Sequence, residues 1–137
     1  MVIRSALLYE AECWPIKKSQ VQRMRVVEMR IIRWMCGHTK FDRIRNGVIR
    51  GKIGVTPIEN KIREVKLRWF GHVRRRSVNA LVRNIENIDR LDCKRSRGRL
   101  KKSWSEVIRH DLQTLGLVED MTLDRTLWRS RIKVVDS

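Results

Sequence analysis

Two stretches of this chain repeat apolar residues at helical spacing for about five turns each. From Lys17 to Cys36, Val21, Met24, Val27 or Glu28, Ile31 and Trp34 or Met35 fall three to four residues apart. From Thr56 to about Arg76 the stripe is Ile58, Ile62, Val65, Trp69 and Val73, with Phe70 alongside. Basic residues occupy the remaining faces: Arg23, Arg25, Arg30 and Arg33 in the first, Lys61, Arg63, Lys66, Arg68 and Arg74 to Arg76 in the second. Only two prolines and seven glycines punctuate 137 residues, so little interrupts such helices. Amphipathic helices of this length bury their stripes against one another, which predicts an all-α fold, a small helical bundle.

Shorter elements follow from capping and breaking residues. Residues 1–12 start apolar without a cap, and Pro15 disfavours helix at Trp14. Gly37 is placed to end the first long helix. Asp42 reads as the N-cap of a helix over roughly 43–51 that stops at Gly51 or Gly54. In Thr56-Pro57-Ile58-Glu59, Thr56 caps, Pro57 takes the first helical position and Glu59 completes a capping box. Residues 77–93 are weakly patterned, with room for a short helix or strand. Ser103 to Leu115 reads as a helix with Trp104, Val107, Ile108, Leu112 and Leu115 on its apolar side and Gly116 as its stop. Thr122 then caps a last helix to about Ile132 presenting Leu123, Leu127 and Trp128. This divides the chain into a helical domain over 1–76, a basic linker over 77–102 and a C-terminal helical segment over 103–137.

Charge dictates the partner. Thirty-two Lys and Arg face 15 Asp and Glu, for a formal net charge of +17. Self-repulsion of that size destabilises a compact state unless a polyanion accepts it, and nucleic acid is the commonest polyanion. Arginine, which dominates, contacts phosphate bidentately and stacks on bases. The candidate contacts are Arg30, Arg33, Lys66, Arg68, Arg74, Arg75 and Arg76 on the helices. To these the tract from Lys94 to Lys102 adds six cations in nine residues: Lys94, Arg95, Arg97, Arg99, Lys101 and Lys102. A Gly-containing basic segment resembles arms that lie along a phosphate backbone, and the same composition suits a nuclear address. Phosphate contacts position a protein without reading sequence.

Chemistry of other kinds finds little support. Cys36 and His38 lie two apart, but no second pair at ligand spacing follows, and a structural zinc needs four converging ligands. No nucleophile elbow, Cys–His signature, phosphate loop or carboxylate set for two-metal catalysis is present. No catalytic residue, metal or cofactor is therefore expected. The acids suit intrahelical pairs such as Glu59 with Arg63 and Glu64 with Arg68. Three scattered cysteines and no signal peptide suggest a reducing, intracellular setting, and no apolar run approaches a membrane span. Trp34, Trp69, Trp104 and Trp128 each fall on an apolar stripe, where a core role outweighs base stacking.

A family resemblance covers essentially the whole chain. Leu8 to Trp14, Glu28-Met29-Arg30, Arg33 to Thr39, Ile44-Arg45-Asn46, Ile49-Arg50, Gly54-Val55 and Pro57-Ile58-Glu59 carry its first half. Leu67 to Val73, Arg97-Gly98-Arg99, Lys101-Lys102, Trp104 and Trp128-Arg129 carry the rest. In these blocks the chain resembles the region after the polymerase palm in plant non-LTR, LINE-type, retrotransposon reverse transcriptases. The resemblance implies a thumb-like bundle that grips primer–template duplex and element RNA while the palm performs synthesis. The family's aromatic-x-Asp-Asp motif has no counterpart here, nor has its endonuclease domain, so no polymerase activity carries over. Glu10 stands where the family has glycine and Ser5 where it has proline, and Met1 falls within an expected helix, as in a truncated copy. The missing palm is then one partner; exposure of Val2, Leu7 and Leu8 is a route to self-association. A structural or interaction module, or a fragment without function, is the alternative expectation.

Overall fold

The computed structural model describes residues 2–9, 11–88, 97–98 and 102–136, with residues 2–3 and 85–88 described by backbone alone. Among them are seven α-helices and no strand: α1 (Val2–Leu7), α2 (Lys18–Met35), α3 (Asn46–Ile53), α4 (Ile58–Arg74), α5 (Leu81–Ile88), α6 (Trp104–Leu115) and α7 (Arg125–Ile132). The fold is thus the helical one that the apolar spacing predicts. Short 3-10 turns at Lys40–Asp42 and Glu119–Thr122 complete it.

The 17-residue helix α4, in the middle of the chain, is shared by most of the others. Its Leu67 and Phe70 close a core with Ile108 and Leu112 of α6 and Trp128 and Ile132 of α7, edged by Trp104, Leu117 and Met121. A smaller cluster joins Met29 and Ile32 of α2 to Ile49 of α3. A 3.7 Å ion pair from Arg25 to Glu59 links α2 to α4. The boundary expected at residue 76 is therefore no boundary in packing. With 12 and 8 residues, α6 and α7 are too short to be stable alone and bury their stripes on α4.

The rotation of α2 differs from the expected stripe. Glu28, Met29 and Ile32 face inward, while Val26, Val27, Trp34 and Met35 are exposed. A buried charge pair lies on this inward face beside the apolar cluster of Met29 and Ile32. Glu28 is 0% exposed and accepts from Arg4 Nε of α1 at 2.8 Å. The same guanidinium donates to the Thr56 carbonyl before α4, and its Nη1 lies 3.3 Å from Asp136 Oδ1 near the chain's end. One buried arginine thereby joins four segments far apart in sequence.

Three expected caps are reassigned for the same kind of reason, competition from another partner. Thr56 does not cap α4: its hydroxyl and amide donate to Asp136 Oδ1 at 2.7 and 3.1 Å, and Pro57 holds the N-cap position without a side-chain bond. Asp42 caps backward, accepting the Thr39 amide at 2.5 Å, and α3 begins only at Asn46. That amide, assisted by the Thr39 hydroxyl, His38 and Arg33, holds the Asp42 carboxyl below its ordinary value against opposing desolvation. Thr122 is buried with its hydroxyl on the Glu119 carbonyl at 2.7 Å, and Asp124 caps α7 through the Thr126 and Leu127 amides. The expected stops hold: Gly37, Gly54 and Gly116 sit at φ +70°, +68° and +64°. Leu115 and Leu123, expected inside, are exposed.

Candidate nucleic-acid interface

A cleft of about 540 Å³ opens beside α4 and α7. Trp128 forms part of its lining, itself 0% exposed and fixed by an indole N–H bond to the Leu67 carbonyl at 2.9 Å. The indole lies this close to α4 because residue 71 is glycine. A Cβ there would stand 2.6 Å from Trp128 Cδ1 and closer still to Nε1. Trp69 and His72 line the cleft as a stacked pair, ring centroids 5.4 Å apart and planes 26° apart.

Arginines from both sides surround this aromatic wall: Arg68 from α4 and Arg75 at its C-cap, Arg125 and Arg129 from α7, with Glu12 as the one acid in the lining. Arg68 reaches Glu64 at 2.6 Å yet its side chain is 58% exposed. Arg75 Nη1 donates to the Thr122 carbonyl at 2.8 Å, which fixes its guanidinium at the cleft. Burial and then the like charge of Arg125 hold the Arg75 pKa below its ordinary value. Arg125 and Arg129 are exposed and join no ion pair among the described residues. Arg75, Arg125 and Arg129, none of them in an ion pair among the described residues, favour an anion between them.

The residues expected to contact phosphate are dispersed. Arg68 and Arg75 meet in the cleft, and Arg76 is exposed beside it, 3.4 Å from His72 Nε2. Arg74 instead pairs with Glu119 at 2.7 Å, its guanidinium 5.3 Å above the Phe70 ring. Lys66 is a correction. It is 5% exposed, so phosphate does not reach it; burial lowers its pKa, opposed by Asp111 and reinforced by Arg63. Arg30 and Arg33 lie elsewhere, in a groove along α2 shared with Trp34, His38 and Lys40. There Arg33 is largely spent on structure, donating to the Ile44 carbonyl at 2.5 Å and to Asn46 Oδ1 at 2.9 Å. Arg97 and Lys102 are exposed, while Lys94, Arg95, Arg99 and Lys101 lie outside the described residues.

Two of the cleft's arginines were not among the expected contacts, Arg125 and Arg129. Their i,i+4 spacing, which puts them on one face of α7 beside Trp128, was the available signal. Of the four tryptophans expected in the core, Trp128 is fully buried and Trp104 packs at its edge, its indole N–H on the Glu12 carbonyl at 2.8 Å. Trp69 is half-buried at the cleft, and Trp34 is 79% exposed, because α2 turns Glu28, Met29 and Ile32 inward instead. Of the two expected intrahelical pairs, Glu64–Arg68 forms, whereas Arg63 turns to Asp111 of α6 at 3.4 Å and Glu59 to Arg25.

Among the described residues no group of three or more His, Cys, Asp or Glu is placed to hold a metal ion, and no helix is long and apolar enough to cross a membrane. No protein-family model matches the chain, and neither a curated protein nor a solved structure matches it.

Proposed function

We propose that this chain is a non-catalytic nucleic-acid-binding module, the thumb and post-polymerase part of a LINE-type reverse transcriptase, working on nucleic acid in the nucleus. The carrying observation is the cleft, where Arg68, Arg75, Arg125 and Arg129 surround a stacked aromatic pair in a chain of net charge +17. Guanidinium groups fixed or free at such a cleft neutralise phosphates and release their counterions, whichever the nucleic acid, RNA, DNA or hybrid. The sequence blocks shared with the reverse transcriptases support the parentage.

The test is salt dependence of binding to duplex DNA, RNA–DNA hybrid and RNA. Six or more phosphate contacts predict a loss on the order of a thousandfold between about 50 and 200 mM salt. No binding at low salt overturns the reading. Arg125→Glu with Arg129→Glu should weaken binding to every nucleic acid tested.

A second reading, a structural module docking on another chain such as the polymerase palm, draws on the outward face of α2. There Trp34 stands exposed near Val26 and Met35. Association through that face would strengthen, not weaken, as salt rises.

A further inference from the structure

We infer that the cleft beside α4 and α7 takes one unpaired nucleotide, its base against the Trp69–His72 stack and its phosphate among Arg75, Arg125 and Arg129, so that single-stranded nucleic acid is preferred to duplex. This rests on the nucleic-acid reading above and narrows it from a phosphate grip to a site for an unpaired base.

The geometry carries the step. Within a duplex each base is covered above and below by its neighbours and offers only its groove edges. An aromatic platform is usable only by a base that is unpaired or flipped out. Trp69 and His72 already pair at a centroid distance of 5.4 Å, so a third ring extends an existing aromatic surface rather than building one. The cleft, about 540 Å³, is of the size that takes small organic ligands and is far too small for two paired strands.

Charge falls where a nucleotide needs it. Arg75 is held at the Thr122 carbonyl before any ligand arrives, so little side-chain freedom remains to be lost on binding. Burial first, and then the like charge of Arg125, lower the Arg75 pKa; the second is an unfavourable pairing that a phosphate between them would reverse. The groove on α2 is also basic, but among the described residues its exposed Trp34 has no stacked ring beside it.

The experiment uses the full chain and fluorescence anisotropy at one salt concentration. The probes are a labelled mixed-sequence single strand of about 12 nucleotides, as RNA and as DNA, and the duplex of the same sequence. The single strand should bind about tenfold or more tighter than the duplex. Trp69→Ala should lower single-strand affinity by about tenfold and abolish that preference, with Trp69→Phe restoring most of it. Trp69 belongs to neither core cluster, so a melting curve should show the variants folded. If Trp69→Ala fails to fold, quenching of 2-aminopurine within the strand by the unaltered chain supports the stack, and absence of quenching overturns it. Equal affinity for strand and duplex, or a preference that survives Trp69→Ala, overturns the inference while leaving the phosphate grip standing. Failure of every nucleic acid to bind at low salt overturns both.

Discussion

Replacing Gly71 by alanine sets two opposed effects against each other inside α4. Alanine favours helix over glycine by about 1 kcal/mol at an interior position. The new methyl, however, would meet Trp128 Cδ1 at 2.6 Å and Nε1 closer still. Neither side gives easily. The methyl is fixed to the helix backbone, and the indole is fully buried with its ring tilted against Phe70 at a centroid distance of 6.3 Å. Restoring ordinary contact requires the ring to retreat by about 1 Å. That displacement weakens the indole bond to the Leu67 carbonyl, about 1–3 kcal/mol when a buried donor is left unpaired, and overpacks the core by about 1–3 kcal/mol. After the propensity gain the net loss is about 3 kcal/mol, a fall of about 10 °C in Tm for a domain of this size. The control is Gly51 of α3, where a Cβ meets nothing within 4 Å; Gly51→Ala should stabilise by up to about 1 kcal/mol. Thermal melts followed by far-ultraviolet circular dichroism measure both. Gly71→Ala melting at or above the unaltered chain would refute the close approach of Trp128 to α4.

Other consequences follow from the buried charges. Arg4→Met strands the fully buried Glu28 and should cost about 3–5 kcal/mol, most of which Arg4→Met with Glu28→Leu should recover, read from denaturant midpoints. Lys66→Met removes a buried ammonium while Arg63 still serves Asp111; it should leave stability unchanged or raise it by about 1 kcal/mol and change nucleic-acid affinity less than about twofold. Because burial lowers the Lys66 pKa in the fold, unaltered protein should also gain stability as pH rises through that lowered value toward 10.5, a gain Lys66→Met lacks. Desolvation of Asp136 is outweighed by its Thr56 hydrogen bonds and the charges of Lys61 and Arg4, which hold its carboxyl below the ordinary range. Its contribution is therefore present above about pH 4 and lost as pH falls through the lowered value; being part-exposed it is at most about 1 kcal/mol, and Asp136→Asn should remove that acid limb.

Much of the fold was legible because it is decided within a few residues. Helices α2 and α4 follow from apolar spacing, and the stops at Gly37, Gly54 and Gly116 follow from left-handed backbone that glycine adopts without strain. The caps were less legible, since a Thr or Asp oxygen has several reachable donors and acceptors. Thr56 went to Asp136, 80 residues away, and Asp42 went back to Thr39. The candidate site was half legible: Arg68 and Arg75 stand out as cations on a helix, but nothing local says that Lys66 on the same helix is buried.

What the sequence by itself determined is the helical class, the excess of positive charge and the tryptophan content, because these rest on composition and on a period of 3.6 residues. Which tryptophan became core and which became surface was decided by tertiary structure alone. The face of α2 that carries Glu28, Met29 and Ile32 packed inward on Arg4 and Ile49 and left Trp34 outside, while Gly71 admitted Trp128 against α4. Arginines separated by some fifty residues, Arg75 and Arg125, then met beside Trp69 and His72 to make the cleft. A charge count is additive along the chain; a site depends on which side chains the packing brings face to face.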